Sequence, residues 1–466
     1  MKRLFKILLM MTMMTFFIIL PVYSDSEPRI AIVGGGIGGA TTAHYLRELF
    51  PDPTATVDLF EAHKVGGRLA TTMIAGREYE TGGSIIHPSN FYMKNFTSLL
   101  GLKSRTGTLE LFGIYNGKEY IFKESPWFLM TQVKMLWRYG WSAIKFEPWI
   151  SNMIDNFKNN KVIISTISTV VQSVNDLTEK YCVLDYIFLT TTFLNFTHYM
   201  SFLNFILGAV SSAGAGSKLW SVHGGNKRVP EELLKQAEVK VHNALVTEVV
   251  LQENGKFLMH ISRLDLPKNQ QLTNSSEYDI VIITVPLING VSNIRFKGFT
   301  PDIHNLSGKY HHTVATLVHG RINHSALKLD SSSNIEVILT TNPELFFNSI
   351  GKQYPVDYTK GEKVPDVWKV FSKKPLSESD INYLFEKVEE KKVIDWSAYP
   401  HYTPPESLQP FILHQGLYYT SAIEWAASAM EMSAIAGRNV ALLVHSNWHG
   451  VSSKIDQIIS SGKEEL

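Results

Sequence analysis

The stretch "RIAIVGGGIGGATTAHYL", Arg29 to Leu46, constrains the fold more than any other part of this chain. An apolar strand runs into a glycine cluster and then into a helical pattern. Gly34, Gly36 and Gly39 stand in G-x-G-x-x-G spacing, with Gly38 between them. The first glycine permits a tight turn, the second a close approach of backbone to a pyrophosphate, and the third close packing of helix on strand. The helix N-terminus then faces the phosphate charge. The turn "PDPT" (Pro51 to Thr54) and a second strand, "ATVDLFEA", follow. Glu61 ends that strand about 20 residues past the last glycine, where a carboxylate accepts hydrogen bonds from a ribose. The pattern predicts a dinucleotide-binding β-turn-α-β unit.

With 466 residues the chain has room for two or three domains. Its net charge of +1 gives no electrostatic argument for nucleic acid. Lys2, Arg3 and Lys6 precede an apolar run ending near Leu20, with Val22 and Ser24 at small-residue positions. Residues 1–24 read as a secretory signal peptide, with an uncleaved anchor as the alternative. Sequons at Asn95, Asn195, Asn274, Asn305 and Asn323 agree with passage through the secretory pathway. Cys182 is the only cysteine, so an intrachain disulfide is impossible.

Further along, Lys118 to Gly214 reads as largely helical and strongly aromatic. "NALVTEVVLQENGKFLMHIS" predicts a hairpin around an Asn-Gly turn. "YDIVIITVP" predicts a strand buried on both faces. "TVATLVHGRI" and "IEVILTT" read as strands. "SESDINYLFEKVEEKK" reads as a surface helix capped by Ser377. The C-terminal segment predicts a strand, a short loop and a helix rich in small residues.

A second glycine loop separates the nucleotide candidates. Gly66, Gly67 and Arg68 follow the ribose carboxylate directly, and Gly82, Gly83 and His87 come soon after. Here the chain resembles the FAD-dependent amine oxidase superfamily, whose second fingerprint is a Gly-Gly-Arg sequence at this place. The resemblance implies that these residues lie along the pyrophosphate and the approach to the flavin, with the guanidinium balancing phosphate charge. It also implies flavin-proximal roles for Gly224 and Gly225 in "WSVHGGNKRVPEEL", and a backbone contact from Val246 to adenine. Glu431, Met432 and Ser433 in "AMEMSAIAGRNVA" match the C-terminal flavin motif, whose helix N-terminus faces the ring. That motif usually holds more glycine; here Ser433 and Ala436 replace it.

The departure narrows the likeness. "LYYTSAIEWAASAMEMSAIAGRNVALL", "PHYTPPE" and "YDIVIITVPL" resemble the prenylcysteine oxidase (prenylcysteine lyase) family over about Arg29 to Trp448. The resemblance implies a lysosomal thioether oxidase with noncovalent FAD. It takes farnesyl- or geranylgeranyl-cysteine, O2 and water to free cysteine, prenyl aldehyde and hydrogen peroxide. Hydride leaves the carbon between sulfur and alkene, water adds, and the hemithioacetal collapses. Such chemistry needs no metal and no strong nucleophile. His223, beside the second glycine pair, is the candidate base for the water; His311 and His312 sit in a predicted strand. Each buried CH2 of the prenyl tail is worth roughly 0.8 kcal/mol. Trp127, Phe128, Trp137, Trp141 and Trp149, or Phe193 to Leu207, are candidate pocket walls.

The implied fold class is α/β: a Rossmann-like FAD domain of the amine oxidase/GDI type with a discontinuous α+β substrate domain. The expected boundaries place the FAD domain at 28–110, 220–298 and 406–450. The substrate domain takes 111–219 and 299–405, and 451–466 form a tail. Three alternatives stay open: an amine or polyamine oxidase, a flavin-binding paralogue with another substrate, and a prenyl-binding GDI-like chaperone without flavin. A peripheral membrane or lipid association is also expected, and secretion stands beside the lysosome as a destination.

Overall fold

The computed structural model describes residues 27–106, 111–141, 145, 148, 219–264, 273–304, 306, 308–402 and 409–450. The readings of the signal segment, of Trp149, Cys182, Asn195, Phe193 to Leu207 and Asn305, and of the tail lie outside these residues.

The first sheet forms around the strand Arg29–Val33, which is buried from Ile30 onward. It is flanked in parallel by Thr56–Glu61 and by Ile280–Ile283, with Ile30 opposite Val57 and Ile280. A strand covered on both faces must be apolar at successive positions, and IVII at 280–283 is fully buried. Leu417–Tyr419 adds in parallel on one side and Lys240–Leu251 on the other. Lys240–Leu251 then turns at Gln252 to Gly255 and pairs antiparallel with Phe257–Arg263, the predicted hairpin. The central strands therefore come from positions near 30, 58, 281 and 418 of the chain.

Helices cover this sheet. Helix α1 (Ile37–Leu49) follows the glycine turn. Helices α2 (Phe91–Leu99), α4 (Arg228–Gln236) and α6 (Met430–His449) join it there, whereas α3 (Phe128–Tyr139) and α5 (Glu378–Leu384) pack on the second sheet. α1 and α6 pack backbone to backbone. A Cβ on Gly437 would sit 2.7 Å from the carbonyl oxygen of Gly38. The small residues of α6 are thus a packing requirement. Ala40, Ala43, Leu46, Ala434, Val440 and Val444 share one core with Ile30 and Leu59.

The second sheet is mostly antiparallel, in the order 385–400, 310–322, 367–372, 349–353, 335–340, 111–115, 120–123. It owes its length to the pairing of Tyr310–Ile322 with Phe385–Pro400, which runs from Tyr310 opposite Pro400 to Ile322 opposite Phe385. Here one expectation is corrected. Ser377 does cap a helix, with a reciprocal capping box to Asp380, but α5 ends at Leu384. The charged stretch beyond is the edge strand Phe385–Pro400, not a continued helix. Long-range pairing overrides local helix propensity, and alternating Lys and Glu blunt an exposed edge against further pairing. The stretch from Lys118 onward, read as largely helical, opens instead with the strand Tyr120–Lys123, paired with Leu111–Tyr115 (Gly113 opposite Lys123), before the helix α3.

Candidate active site and its relatives

The glycine turn is built as its spacing demands. Gly34 has φ +110°, and a Cβ there would lie 2.7 Å from Thr284 Oγ1 and from Val285. The Thr284 hydroxyl donates to the carbonyls of Val33 and Gly34, both at 2.9 Å, and pins the turn. A Cβ on Gly39 would sit 2.0 Å from the Gly34 carbonyl oxygen, so only glycine lets α1 start there. Gly36 differs: a Cβ there would meet nothing within 4 Å. It caps α1 with no side-chain bond, and the first turn carries no acidic residue. The site at Gly36 is therefore open backbone at a positive helix end, a cradle that fits a pyrophosphate.

Glu61 accepts hydrogen bonds from the Gly35 N–H at 2.6 Å and the His63 N–H at 2.8 Å. A carboxylate has about four lone-pair sites, so acceptor capacity for ribose hydroxyls remains. Gly66 (φ +114°) joins the turn through its N–H, which donates to Gly35 O at 2.9 Å. A Cβ on Gly67 would lie 3.4 Å from Gly36. The two glycine fingerprints are thus neighbours, with the open backbone of Gly36 between them.

Arg68 does something the sequence did not predict. Its guanidinium grips Glu424 with two prongs, at 2.7 and 2.5 Å, and donates to the Ala398 carbonyl at 2.9 Å. Burial alone would lower the affinity of Arg68 for its proton, but the adjoining Glu424 carboxylate outweighs this and holds it above the ordinary value. The guanidinium implied as a phosphate counter-charge is here paired with a carboxylate, with about a third of the side chain still exposed. Glu424 is 2% exposed. It also accepts from the Tyr310 hydroxyl at 2.9 Å, while its backbone carbonyl accepts from the Tyr402 hydroxyl at 2.7 Å. Burial, reinforced by Glu424, drives the Tyr310 phenol upward and keeps it protonated. Tyr310 and Tyr402 both meet Trp425 edge-on. A Cβ on Gly82 would lie 2.1 Å from the ring of Trp396. The indole N–H groups of Trp396 and Trp425 are buried without a hydrogen-bond partner.

A second tie joins the two remaining glycine pairs. The Asn226 side chain donates to Gly83 O at 2.8 Å and accepts from Val222 N–H at 2.8 Å. Its own N–H donates to Glu80 Oε1 at 2.7 Å. Gly225 (φ +100°) packs against Glu80 and Thr71. Glu80 is 4% exposed, its Oε2 has no hydrogen-bond partner, and burial pushes its carboxyl up to about 7. Neither Asn226 nor Glu80 carries a sequence signal beyond standing next to a Gly-Gly pair.

Other predicted site residues fall in different places. Gly224 (φ +86°) lies against Arg228, and its N–H donates to Val356 O. His223 is half-buried and bears on Asp357, which pairs with Arg77 at 2.6 Å. The structure thus places His223 by an ion-paired loop and gives it no contact with Arg68 or Glu424. Val246 is buried in the long hairpin, opposite Ile261. Glu431 is corrected from a flavin-facing residue to a cap: its carboxylate accepts from Tyr92 and Met93 N–H at 2.9 and 3.2 Å, at the start of α2. Burial raises its pKa, partly opposed by those bonds. Met432 is buried in a small cluster with Tyr402 and Ala427. Ser433, whose N–H donates to Ala429 O, lies beside Gly38. His87 orders the loop ahead of α2 through Asn90 and Ser89. His311 pairs with His401 at 2.9 Å, and the exposed His312 pairs with Asp395.

The expected aromatic pocket wall is also corrected. Trp127 is 79% exposed, Trp137 91% and Trp141 71%, so among the described residues these rings stand out to solvent and wall no core. Of the sequons, Asn95 is exposed on α2. Asn323 is half-buried and accepts from Ser325 and Ala326. Asn274 lies in the strand Thr273–Tyr278.

The chain matches the prenylcysteine lyase family over residues 122–180 and 161–457, and the NAD(P)-binding Rossmann-like domain over residues 32–100. It is 36% identical to prenylcysteine oxidase 1 of Bos taurus, covering 93% of this chain and 92% of that one. It is 33% identical to prenylcysteine oxidase 1-like of Homo sapiens, covering 93% of each. Among solved structures it resembles cyclohexylamine oxidase from Brevibacterium oxydans, with a TM-score of 0.61 at 13% identity, covering 91% of this chain and all of that one. The glycine cradle, the match across most of the chain and the shared fold agree: the chain belongs to the prenylcysteine lyase family and is an FAD-dependent oxidoreductase.

Proposed function

We propose that this chain oxidises prenylcysteines, farnesyl- or geranylgeranyl-cysteine, with O2 and water to free cysteine, prenyl aldehyde and hydrogen peroxide. When bound, FAD supplies the acceptor for a hydride from the carbon between sulfur and alkene, and O2 takes up the electrons as peroxide. The chain's own residues bind and orient. The α1 N-terminus and the open backbone at Gly36 hold the pyrophosphate. Glu61 accepts from the ribose. Gly66 and Gly67 bring the second loop within reach of the same turn.

The observation that carries the substrate reading is the neutral, aromatic ground between the two sheets. Glu424, its buried carboxylate, is already neutralised by Arg68 and bonded by Tyr310. Around this pair stand the rings Tyr310, Tyr402, Trp396 and Trp425, with the Ser428 hydroxyl also donating to Glu424 at 3.4 Å. Rings suit an alkene and a thioether, and water-poor surroundings suit a cation delocalised over sulfur and the allyl group. Glu424 is thus not free to pair with a cationic amine. The match to prenylcysteine oxidases over most of the chain favours this reading over an amine oxidase on the same fold. Incubation of the protein with farnesylcysteine and with spermine, while peroxide is followed, tests it. Peroxide from farnesylcysteine alone agrees; peroxide from spermine alone overturns it.

The proposed setting is the degradation of prenylated proteins in the lysosome, with secretion as the alternative. The signal-like residues 1–24 and the exposed sequon at Asn95 support that setting.

A further inference from the structure

Helix α3 presents its apolar side to solvent. Thr131, Met135 and Tyr139, spaced by four, form the stripe that faces the hairpin of 111–123. Thr131 and Tyr139 are buried, and Tyr139 and Met135 join Ile114 and Phe122. Steps of about 100° per residue put Leu129, Val133, Leu136 and Trp137 on the opposite side. A surface helix ordinarily carries polar residues there. Here Leu129 is 75% exposed and Trp137 91%, and Trp127 and Phe128 stand exposed at the helix start.

The charges on the helix itself are of one sign; the nearby Glu124 accepts from Phe112 N–H at 3.2 Å. The helix sequence FLMTQVKMLWRY holds Lys134 and Arg138 and no acidic residue. Lys123 and Lys145 lie exposed on either side. The Lys134 ammonium donates to the Lys123 carbonyl at 3.1 Å, and the Lys123 ammonium lies 5.3 Å from the Tyr120 ring centroid. Among the described residues no helix is long and apolar enough to cross a membrane. An apolar face edged by Lys and Arg and carrying tryptophan has the composition of a helix lying in a lipid interface.

We propose that α3 is a membrane-docking surface: its outer face sinks into an anionic phospholipid bilayer while Lys123, Lys134 and Arg138 meet the headgroups. The inference goes beyond the substrate reading and does not depend on it, although a substrate that partitions into lipid would be met there. Hydrogen exchange on the full chain tests it locally, so that the apolar residues near the N-terminus cannot stand in for α3. Vesicles of phosphatidylcholine with about 30% phosphatidylserine should slow amide exchange over 128–139 by at least about tenfold. The double variant Leu129→Gln/Trp137→Gln should lose that slowing with unchanged thermal unfolding. Lys134→Gln/Arg138→Gln should lose most of it, as should raised salt. Three results each overturn the proposal: unchanged exchange in α3 with vesicles present, equal slowing on phosphatidylcholine alone, or slowing that persists in the Leu129→Gln/Trp137→Gln variant. A fall in molecular mass in that variant with no vesicle effect in the native chain also overturns it, and assigns the face to a second copy of the chain.

Discussion

Arg68 and Glu424 stand 356 residues apart in sequence and meet in a two-pronged ion pair. The pair clamps the second glycine loop to the segment that leads into α6. Both partners must be present, because one prong lost leaves a nearly inaccessible carboxylate uncompensated. The guanidinium is about a third exposed, which weakens the pair relative to a fully buried one. Glu424→Gln is expected to lower stability by roughly 2 kcal/mol and to weaken FAD retention. Arg68→Lys should behave similarly, since an ammonium cannot span both oxygens. Thermal unfolding and the flavin content of the purified protein check both.

Gly36 and Gly39 share one motif and should fail differently. A methyl at Gly39 would strike the Gly34 carbonyl, so Gly39→Ala should destabilise the protein by about 2–3 kcal/mol with or without flavin. A methyl at Gly36 meets no protein atom within 4 Å. Gly36→Ala should leave the melting of the flavin-free protein unchanged and weaken FAD binding by at least about tenfold. Flavin titration of the two variants, with melting curves of each, separates the effects.

Glu80 makes stability depend on pH. Burial raises its folded-state pKa to about 7, above the unfolded value of 4.5. The folded protein therefore binds more protons between these values. Its contribution is fully present below about pH 4.5 and is lost as pH rises through 7, by at most about 3 kcal/mol. Glu80→Gln keeps the acceptor for the Asn226 N–H and cannot ionise. Its stability relative to the native chain should rise between pH 5 and pH 8, about the range spanned by the shift. Chemical denaturation at both pH values measures this.

His223 should be dispensable for turnover. It bears on Asp357, which pairs with Arg77, and has no contact with the Arg68–Glu424 group. His223→Ala should retain its flavin and most of its rate of peroxide formation. A large loss of rate with flavin fully bound would reinstate it as the base.

Local spacing made the nucleotide half legible. The turn at Gly34, the carboxylate of Glu61 and the loop at Gly66 and Gly67 lie within one β-α-β stretch, and glycine geometry leaves few alternatives. The other half depends on distance. Glu424 looks like any acid before a helix until Arg68 reaches it, and Glu80 looks ordinary until Asn226 folds over it. The stretch after Leu384 read as a helix because Lys and Glu favour one. Pairing with Tyr310–Ile322, seen only in three dimensions, made it a strand. The tryptophans near 127–141 read as a pocket because composition cannot say which side of a helix faces inward.

On the proposed function, reducing equivalents pass from a prenyl thioether to FAD. Anaerobic addition of farnesylcysteine to the yellow holoprotein tests this most directly. The flavin band should bleach with release of free cysteine and prenyl aldehyde in equal amounts, and one peroxide should form for each when air is admitted. A flavin band that stays unbleached by farnesylcysteine, yet bleaches with spermine, would contradict it.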